Sequence, residues 1–202
     1  MVKTSRLHNK FVFGTVFSIA ALIALPLTTS ALTTGTTISS TLSPVISLLT
    51  SSGTVNLNAT PSGAGVQTIA SDTVTVSTNN SAGYTLKLGE TTASSALVSG
   101  GNSIPASTGT QASPVVQTAN SWGYRVDGVG GFGAGTTTAA SSQAIGALTF
   151  AAVPATASPV TLVTTAATAS NATTTVWYGL AVNTTAATGT YTNGVTYTAT
   201  AN

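Results

Sequence analysis

TVTVSTNNSAGYTLKL, residues 73–88, contains the clearest indication of the fold class of this chain. Val74 and Val76 alternate with polar residues before a cluster of Asn, Ser, Ala and Gly, and Leu86 and Leu88 alternate with polar residues after it. A period of two is typical of half-buried strands, and the cluster has the composition of a turn. The stretch therefore predicts two strands joined as a short antiparallel hairpin.

The same alternation recurs in both directions from this stretch. It predicts strands in TVNLNA (54–59), SWGYRV (121–126), ALTFAAV (147–153), VTLV (160–163), VWYGLAV (176–182) and GTYTNGVTYTAT (189–200). The last of these is expected to run straight through Asn193-Gly194, and TTAATG (184–189) to pair the two final strands antiparallel.

No segment of the mature chain has a helical period, so we predict an all-β fold. Regular strands without helical crossovers indicate antiparallel sheets, here a two-sheet sandwich of immunoglobulin-like or jelly-roll-like type, preceded by an N-terminal signal helix. A closed barrel is the alternative. The expected core is Val74, Val76, Tyr84, Leu86, Trp122, Tyr124, Tyr178, Leu180, Tyr191 and Tyr197.

The first 31 residues are typical of a secretory signal peptide. A basic head precedes the apolar run FVFGTVFSIAALIAL (11–25), and small residues follow it up to Ala31. The run is shorter than the roughly 20 residues that a membrane-spanning helix needs. We expect cleavage after Ala31, an extracellular or cell-surface location, and contact with the membrane only through the leader before cleavage. An uncleaved leader that acts as an anchor is the alternative.

The expected domain organisation follows from the leader. Residues 1–31 are the signal peptide, residues 32–43 a flexible Thr/Ser-rich lead-in, and residues 44–202 a single β-sandwich domain. No shift in composition divides the last of these, and its length suits one domain with a core of its own.

Charge is concentrated in the leader, which holds three of the five Lys and Arg residues. What remains is Lys87 and Arg125 against Asp72, Glu90 and Asp127, so two positive and three negative charges leave a net charge of −1. A mature chain without a basic patch cannot neutralise phosphates, which excludes a nucleic-acid partner.

The residue inventory leaves little material for catalysis. The chain has no Cys, and its single His, His8, lies in the leader, so the mature part offers neither a His or Cys metal site nor a His base for a serine nucleophile. A G-x-G-x-x-G match at residues 128–133 precedes no helical pattern and is interpreted as an inter-strand loop. We therefore expect no enzymatic activity, no cofactor and no metal.

Two features suggest contact with partners. Trp177 interrupts the parity of Val176 and Tyr178, so its side chain should point away from the core and could stack on a sugar or anchor a protein, unless a loop or sheet edge covers it. The other feature is TISSTLSPVISLL (37–49), a possible donor strand whose apolar residues share one parity at Ile38, Leu42, Ile46 and Leu48. Such a strand either completes its own sandwich or inserts into a neighbour by strand exchange.

Three segments carry a resemblance to known proteins: TVTVSTNNSAGYTLKL, the SWGY strand and the ending GTYTNGVTYTATAN. They resemble Thr/Ser-rich secreted proteins of candidate-phylum bacteria, and the last strand is loosely similar to WxL-type and spore-coat-U-like surface domains. The W-x-L tripeptide itself does not occur, so peptidoglycan binding is not carried over. The resemblance implies a surface-exposed β-sandwich of structural or adhesive type.

The sequence therefore predicts a secreted or cell-surface structural protein, either an envelope coat component or a fibre or pilin-like subunit. The alternative is an adhesin or carbohydrate-binding module that uses an exposed aromatic such as Trp177. The expected partners are a second copy of the chain, through strand exchange, or a cell-surface glycan or protein.

Overall fold

The computed structural model describes residues 33–202, which contain twelve β-strands and no helix. The chain divides into two compact units, Met1–Thr41 and Leu42–Asn202, and every strand lies in the second. The described part of the first unit, residues 33–41, is irregular and exposed. No helix of the described part is long and apolar enough to cross a membrane.

The strands follow one another at short intervals along the second unit. They are β1 (Ile46–Thr50), β2 (Val66–Thr78), β3 (Tyr84–Glu90), β4 (Leu97–Ser99), β5 (Asn102–Ile104), β6 (Val115–Val116), β7 (Ser121–Arg125), β8 (Ala140–Ala144), β9 (Thr149–Phe150), β10 (Val160–Thr164), β11 (Ala169–Val182) and β12 (Val195–Ala201).

The large sheet has five strands in the order β1-β2-β11-β7, with β8 also pairing with β2. Its two central strands are long, 13 residues in β2 and 14 in β11. They pair antiparallel, so that Val182 lies opposite Val66 and Thr174 opposite Val74. β1 forms an edge, with Ile46 opposite Thr78 and Thr50 opposite Val74.

The small sheet has three antiparallel strands in the order β10-β3-β12. Its central strand, β3, has only seven residues, about half the length of β2 or β11. β12 pairs with β3 so that Val195 lies opposite Glu90 and Ala201 opposite Tyr84. Two short ladders, β4-β5 and β6-β9, complete the described strand pairing.

Buried side chains from both sheets belong to one hydrophobic cluster. The large sheet contributes Val74, Val76, Val176 and Tyr178, and the small sheet contributes Leu86. Within β2 and within β11 these residues come from alternating positions, as expected for strands that turn one face to the core. The all-β, antiparallel prediction is confirmed, and the arrangement is consistent with a β-sandwich. The predicted signal helix lies outside the described residues.

The predicted hairpin in residues 73–88 is wrong in its pairing, although both strands exist. β2 belongs to the large sheet and β3 to the small one, so the turn carries the chain from one sheet to the other. Gly83 makes this crossing possible because its φ of +83° favours glycine and because an added Cβ would lie 2.3 Å from the Thr165 carbonyl oxygen.

The predicted pairing of the last two strands is wrong for a similar reason. β11 lies in the large sheet and β12 in the small one, so the residues between them also cross between sheets. The final strand does not run through Asn193-Gly194 but begins at Val195, after an isolated bridge between Thr192 and Val98.

Most of the predicted core is buried, namely Val74, Val76, Tyr84, Leu86, Trp122, Tyr124, Tyr178 and Leu180. Tyr191 and Tyr197 were expected to be as deeply buried but are only half-buried. Both face a groove beside the core.

Candidate functional site

The main groove lies against the C-terminal part of β11. A cavity of about 900 Å³ opens there, between residues 52–61 on one side and residues 186–197 on the other. Trp122, Tyr178, Leu180 and Val182 line it from the large sheet.

One wall of the main groove is an extended segment without a ladder. Val55, Leu57 and Ala59 are half-buried against the core and alternate with exposed residues, as the sequence predicts for a strand. The strand assignment itself is wrong, since residues 54–59 form no strand and pair with none of the strands described in residues 33–202. Only the Asn58 carbonyl, which accepts from Thr68 Oγ1 at 2.9 Å, has a partner among the main-chain groups of residues 55–59 within the described chain.

Polar groups of the main groove are held by neighbouring protein atoms. Asp72 is 4% exposed, and its Oδ1 accepts from Ser51 Oγ at 2.8 Å and from the Ser52 amide at 3.1 Å. The hydroxyls of Tyr178 and Tyr197 share a hydrogen bond of 2.8 Å. Burial, with the neighbouring Tyr197 and Asp72 adding to it, raises the pKa of Tyr178 well above its usual range.

Burial also raises the pKa of Tyr197, and although the hydrogen bond with Tyr178 opposes this shift, burial prevails. Both phenols are therefore protonated at neutral pH. A protonated phenol can donate a hydrogen bond but offers no base or nucleophile. Together with the aliphatic and aromatic lining, this gives the main groove the character of a binding surface.

Trp177 lines a second, smaller cleft on the other face of β11. Its side chain is half-buried, and the cleft of about 450 Å³ is shared with Thr173, Thr175, Asp127 and Val163. The part of the chain between β7 and β8 forms one side of the cleft, and β10 contributes Val163. Trp177 is thus partly covered by a loop, and its remaining surface faces a groove lined with threonine.

The carboxylate in the Trp177 cleft is already bound. Arg125 Nε donates to Asp127 Oδ1 at 2.6 Å, and the Thr137 amide donates to Oδ2 at 2.7 Å. Burial by itself raises the pKa of Asp127, but the hydrogen bonds from Thr137 and the charge of Arg125 outweigh it, and the pKa is lowered. This cluster ties the glycine-rich loop to β7.

The four residues of the predicted donor strand lie in two different settings. Ile46 and Leu48 are in β1, where they are half-buried against the core and β1 pairs with β2 of the same chain. Ile38 and Leu42 belong to no strand and are 92% and 78% exposed. The four residues share one parity in the sequence, but only Ile46 and Leu48 lie in a strand that pairs within the described chain.

Two inward-facing carboxylates were missed by the sequence reasoning. Asp72 has the parity of Val74 and Val76, and Glu90 has the parity of Leu86 and Leu88, so the alternation that predicts the core also places these acids inside it. Glu90 is 1% exposed, and neither of its carboxylate oxygens has a hydrogen-bond partner. Burial raises the pKa of Glu90.

Comparison with known proteins found no match to this chain. No family model matches the sequence, and no curated protein or solved structure matches it. The resemblance of its three segments to secreted bacterial proteins therefore stays a prediction. Among residues 33–202 no group of three or more His, Cys, Asp or Glu residues is placed to hold a metal ion.

Proposed function

We propose that this chain is an exported, non-catalytic structural protein of the cell surface, acting as an envelope coat component or as a fibre subunit. Its sandwich is of immunoglobulin-like or jelly-roll-like type, and its leader directs it out of the cytoplasm. The main partner is a second copy of the same chain.

One observation carries this proposal: the surface has almost no charge. Of the charged residues in the described part, Asp72, Glu90 and Arg125 are buried and Asp127 is half-buried, which leaves Lys87 as the one fully exposed charged side chain of residues 33–202. Net charge well away from zero keeps proteins apart in solution. A neutral surface rich in Thr and Ser lets identical subunits pack closely without electrostatic repulsion.

The chemistry of the main groove supports the same proposal. The phenols of Tyr178 and Tyr197 are protonated at neutral pH because burial raises their pKa, and Asp72 accepts hydrogen bonds from Ser51 and Ser52. Such a lining suits recognition of an apolar or extended ligand better than acid–base catalysis.

Fractionation of the native organism, followed by electron microscopy with an antibody against this chain, tests the proposal. We expect the protein in the envelope or extracellular fraction, as a layer or as filaments, with an N-terminus at or near Leu32. Recovery in the cytoplasmic fraction, or of a chain that still contains residues 11–25, would contradict it.

The Trp177 cleft favours a second candidate, an adhesin or carbohydrate-binding module. A half-buried Trp beside Thr173 and Thr175 offers an aromatic face together with hydroxyl groups, a combination that binds sugars. A glycan array tests it: retention should be lost in Trp177→Ala and largely kept in Trp177→Phe, which preserves an aromatic face. Equal retention by the wild-type protein and Trp177→Ala would exclude this site.

A further inference from the structure

We propose that the main groove is the acceptor site for residues 36–43 of a second copy of this chain, which insert as a β-strand beside residues 55–59. This inference rests on the proposed role as a self-assembling subunit and adds the contact through which assembly takes place.

The acceptor side has what an added strand requires. Residues 55–59 are extended and direct Val55, Leu57 and Ala59 towards the core, yet within the described chain the amides of this segment have no hydrogen-bond partner. An unpaired extended segment is a template for another strand, because the main-chain groups supply affinity and alternate side-chain pockets supply register. Trp122 and Leu180 line the same groove and can contact the inward-pointing apolar side chains of an added strand.

The donor side has the complementary character. Residues 36–43 contain no charged residue, belong to no strand and carry two large apolar side chains in water, Ile38 at 92% exposure and Leu42 at 78%. Ile38 and Leu42 are four positions apart, about 13 Å in an extended chain at 3.3 Å per residue, and this even spacing places them on the same face. Insertion would bury both.

The path of the chain favours a second copy over self-insertion. The Val45 amide donates to Asn79 Oδ1 at 2.7 Å, and the Val45 carbonyl accepts from Thr78 Oγ1 at 2.8 Å, so the chain enters β1 beside the C-terminal end of β2. The main groove begins at the other end of β1, at Thr50. Residues 36–43 thus precede one end of β1, and the main groove lies at the other end. Insertion of this segment into the groove of a second copy is therefore a head-to-tail contact, which repeats into an open filament.

Cysteine crosslinking tests the inference cleanly because the chain has no Cys of its own. Full-length mature protein carrying Ser39→Cys, whose parity is opposite to that of Ile38 and Leu42, is mixed with protein carrying Asn56→Cys, an exposed residue that lines the groove, and oxidised. We expect a disulfide-linked heterodimer on non-reducing gels. The matched control replaces Asn56→Cys with Ser170→Cys, an exposed position outside the groove, and should give no more than background crosslinking.

A chain that carries both Ser39→Cys and Asn56→Cys separates the two possible occupants. Disulfide-linked ladders support donation to a neighbour. A monomer with an internal disulfide shows that the segment fills the groove of its own chain and overturns the inference, as does the absence of any specific crosslink.

Association measured by sedimentation provides an independent readout. The double substitution Ile38→Asp with Leu42→Asp should weaken self-association by about a hundredfold or more, since it removes the burial of two large apolar side chains. Thr37→Asp with Thr41→Asp, which adds the same charge on the opposite parity, should weaken it far less. Equal weakening by both pairs would indicate charge repulsion rather than strand insertion and would overturn the inference.

The location experiment distinguishes failure of the inference from failure of the proposed function. If the protein stays monomeric at millimolar concentration yet coats the envelope in micrographs, the proposed structural role stands and the acceptor site in the main groove is refuted. If the protein forms crosslinked ladders in vitro but is cytoplasmic in the organism, the acceptor site stands and the proposed surface role is refuted.

Discussion

Replacing Glu90 by Leu should stabilise the protein at neutral pH. The carboxylate is 1% exposed and neither oxygen has a hydrogen-bond partner, although the residue occupies the same inward parity as Leu86 and Leu88. Leaving a buried polar group unsatisfied costs about 1–3 kcal/mol, and an apolar side chain of similar size avoids that cost. We therefore expect Glu90→Leu to raise the free energy of unfolding at pH 7 by about 1–3 kcal/mol.

The pH dependence follows from the direction of the pKa shift. Burial raises the pKa of Glu90 above its ordinary value of 4.5, so the folded state binds this proton more tightly than the unfolded state does. The contribution of protonated Glu90 to the free energy of unfolding is complete below pH 4.5. It is lost as the pH rises from 4.5 through the pKa of Glu90 in the folded protein. Glu90→Gln, which cannot ionise, should lack this decline.

Thermal and urea unfolding between pH 4 and pH 8 provide the assay, on the wild-type protein and on both Glu90 variants. For a domain of this size each kcal/mol corresponds to about 2–4 °C in Tm. The difference between wild type and Glu90→Gln isolates this one group from the other titrating side chains. Two results would contradict an unsatisfied, buried Glu90. One is a wild-type protein whose stability relative to Glu90→Gln stays constant or increases with pH, and the other is a Glu90→Leu variant less stable than wild type at pH 7.

Three further perturbations have outcomes that unfolding experiments can check. Gly83→Ala should destabilise the protein by more than about 2 kcal/mol, because Gly83 has a positive φ and an added Cβ would clash with the Thr165 carbonyl. Gly100→Ala should cost only about 1 kcal/mol, because Gly100 has a positive φ but an added Cβ would have no atom within 4 Å. Asp127→Asn should lower the free energy of unfolding by about 2 kcal/mol, which is less than the cost of breaking a fully buried pair because the carboxylate is 23% exposed. The stability difference between wild type and this variant should disappear as the pH falls below 3.8 and through the lowered pKa of Asp127. Tyr178→Ala should cost about 3–5 kcal/mol and Tyr197→Ala clearly less, since the second ring is only half-buried.

The sequence predicts which face of a strand is buried far better than it predicts the partner of that strand. Val74, Val76 and Leu86 all point inward, as their alternation indicates. The turn between them has the residues of a hairpin, yet it joins two sheets. Period two defines an inward face in both arrangements, and a short turn rich in Asn and Gly suits both, so the pattern cannot decide between a hairpin and a crossing.

Polar residues of the core were the other gap in the sequence reasoning. Asp72 and Glu90 have inward parity, but an acid at a strand position reads as a strand end or a solvated face, because carboxylates are rarely buried. Whether such a group finds a partner depends on loops that are distant in sequence. Asp72 is satisfied by Ser51 and Ser52, which lie about 20 residues earlier in the chain, whereas Glu90 has no such neighbour.

The failed strand prediction at residues 54–59 differs in kind from the failed pairings. There the alternation of Val55, Leu57 and Ala59 is correct and only the ladder is missing, although main-chain groups near a core are normally paired. Water can satisfy them in an open groove, but water does not require an alternating apolar face. A sequence that keeps strand periodicity where residues 33–202 supply no strand partner is what we expect if the partner strand comes from another molecule. Ile38 and Leu42 complement it, since they share one parity and are exposed in the described part of the chain.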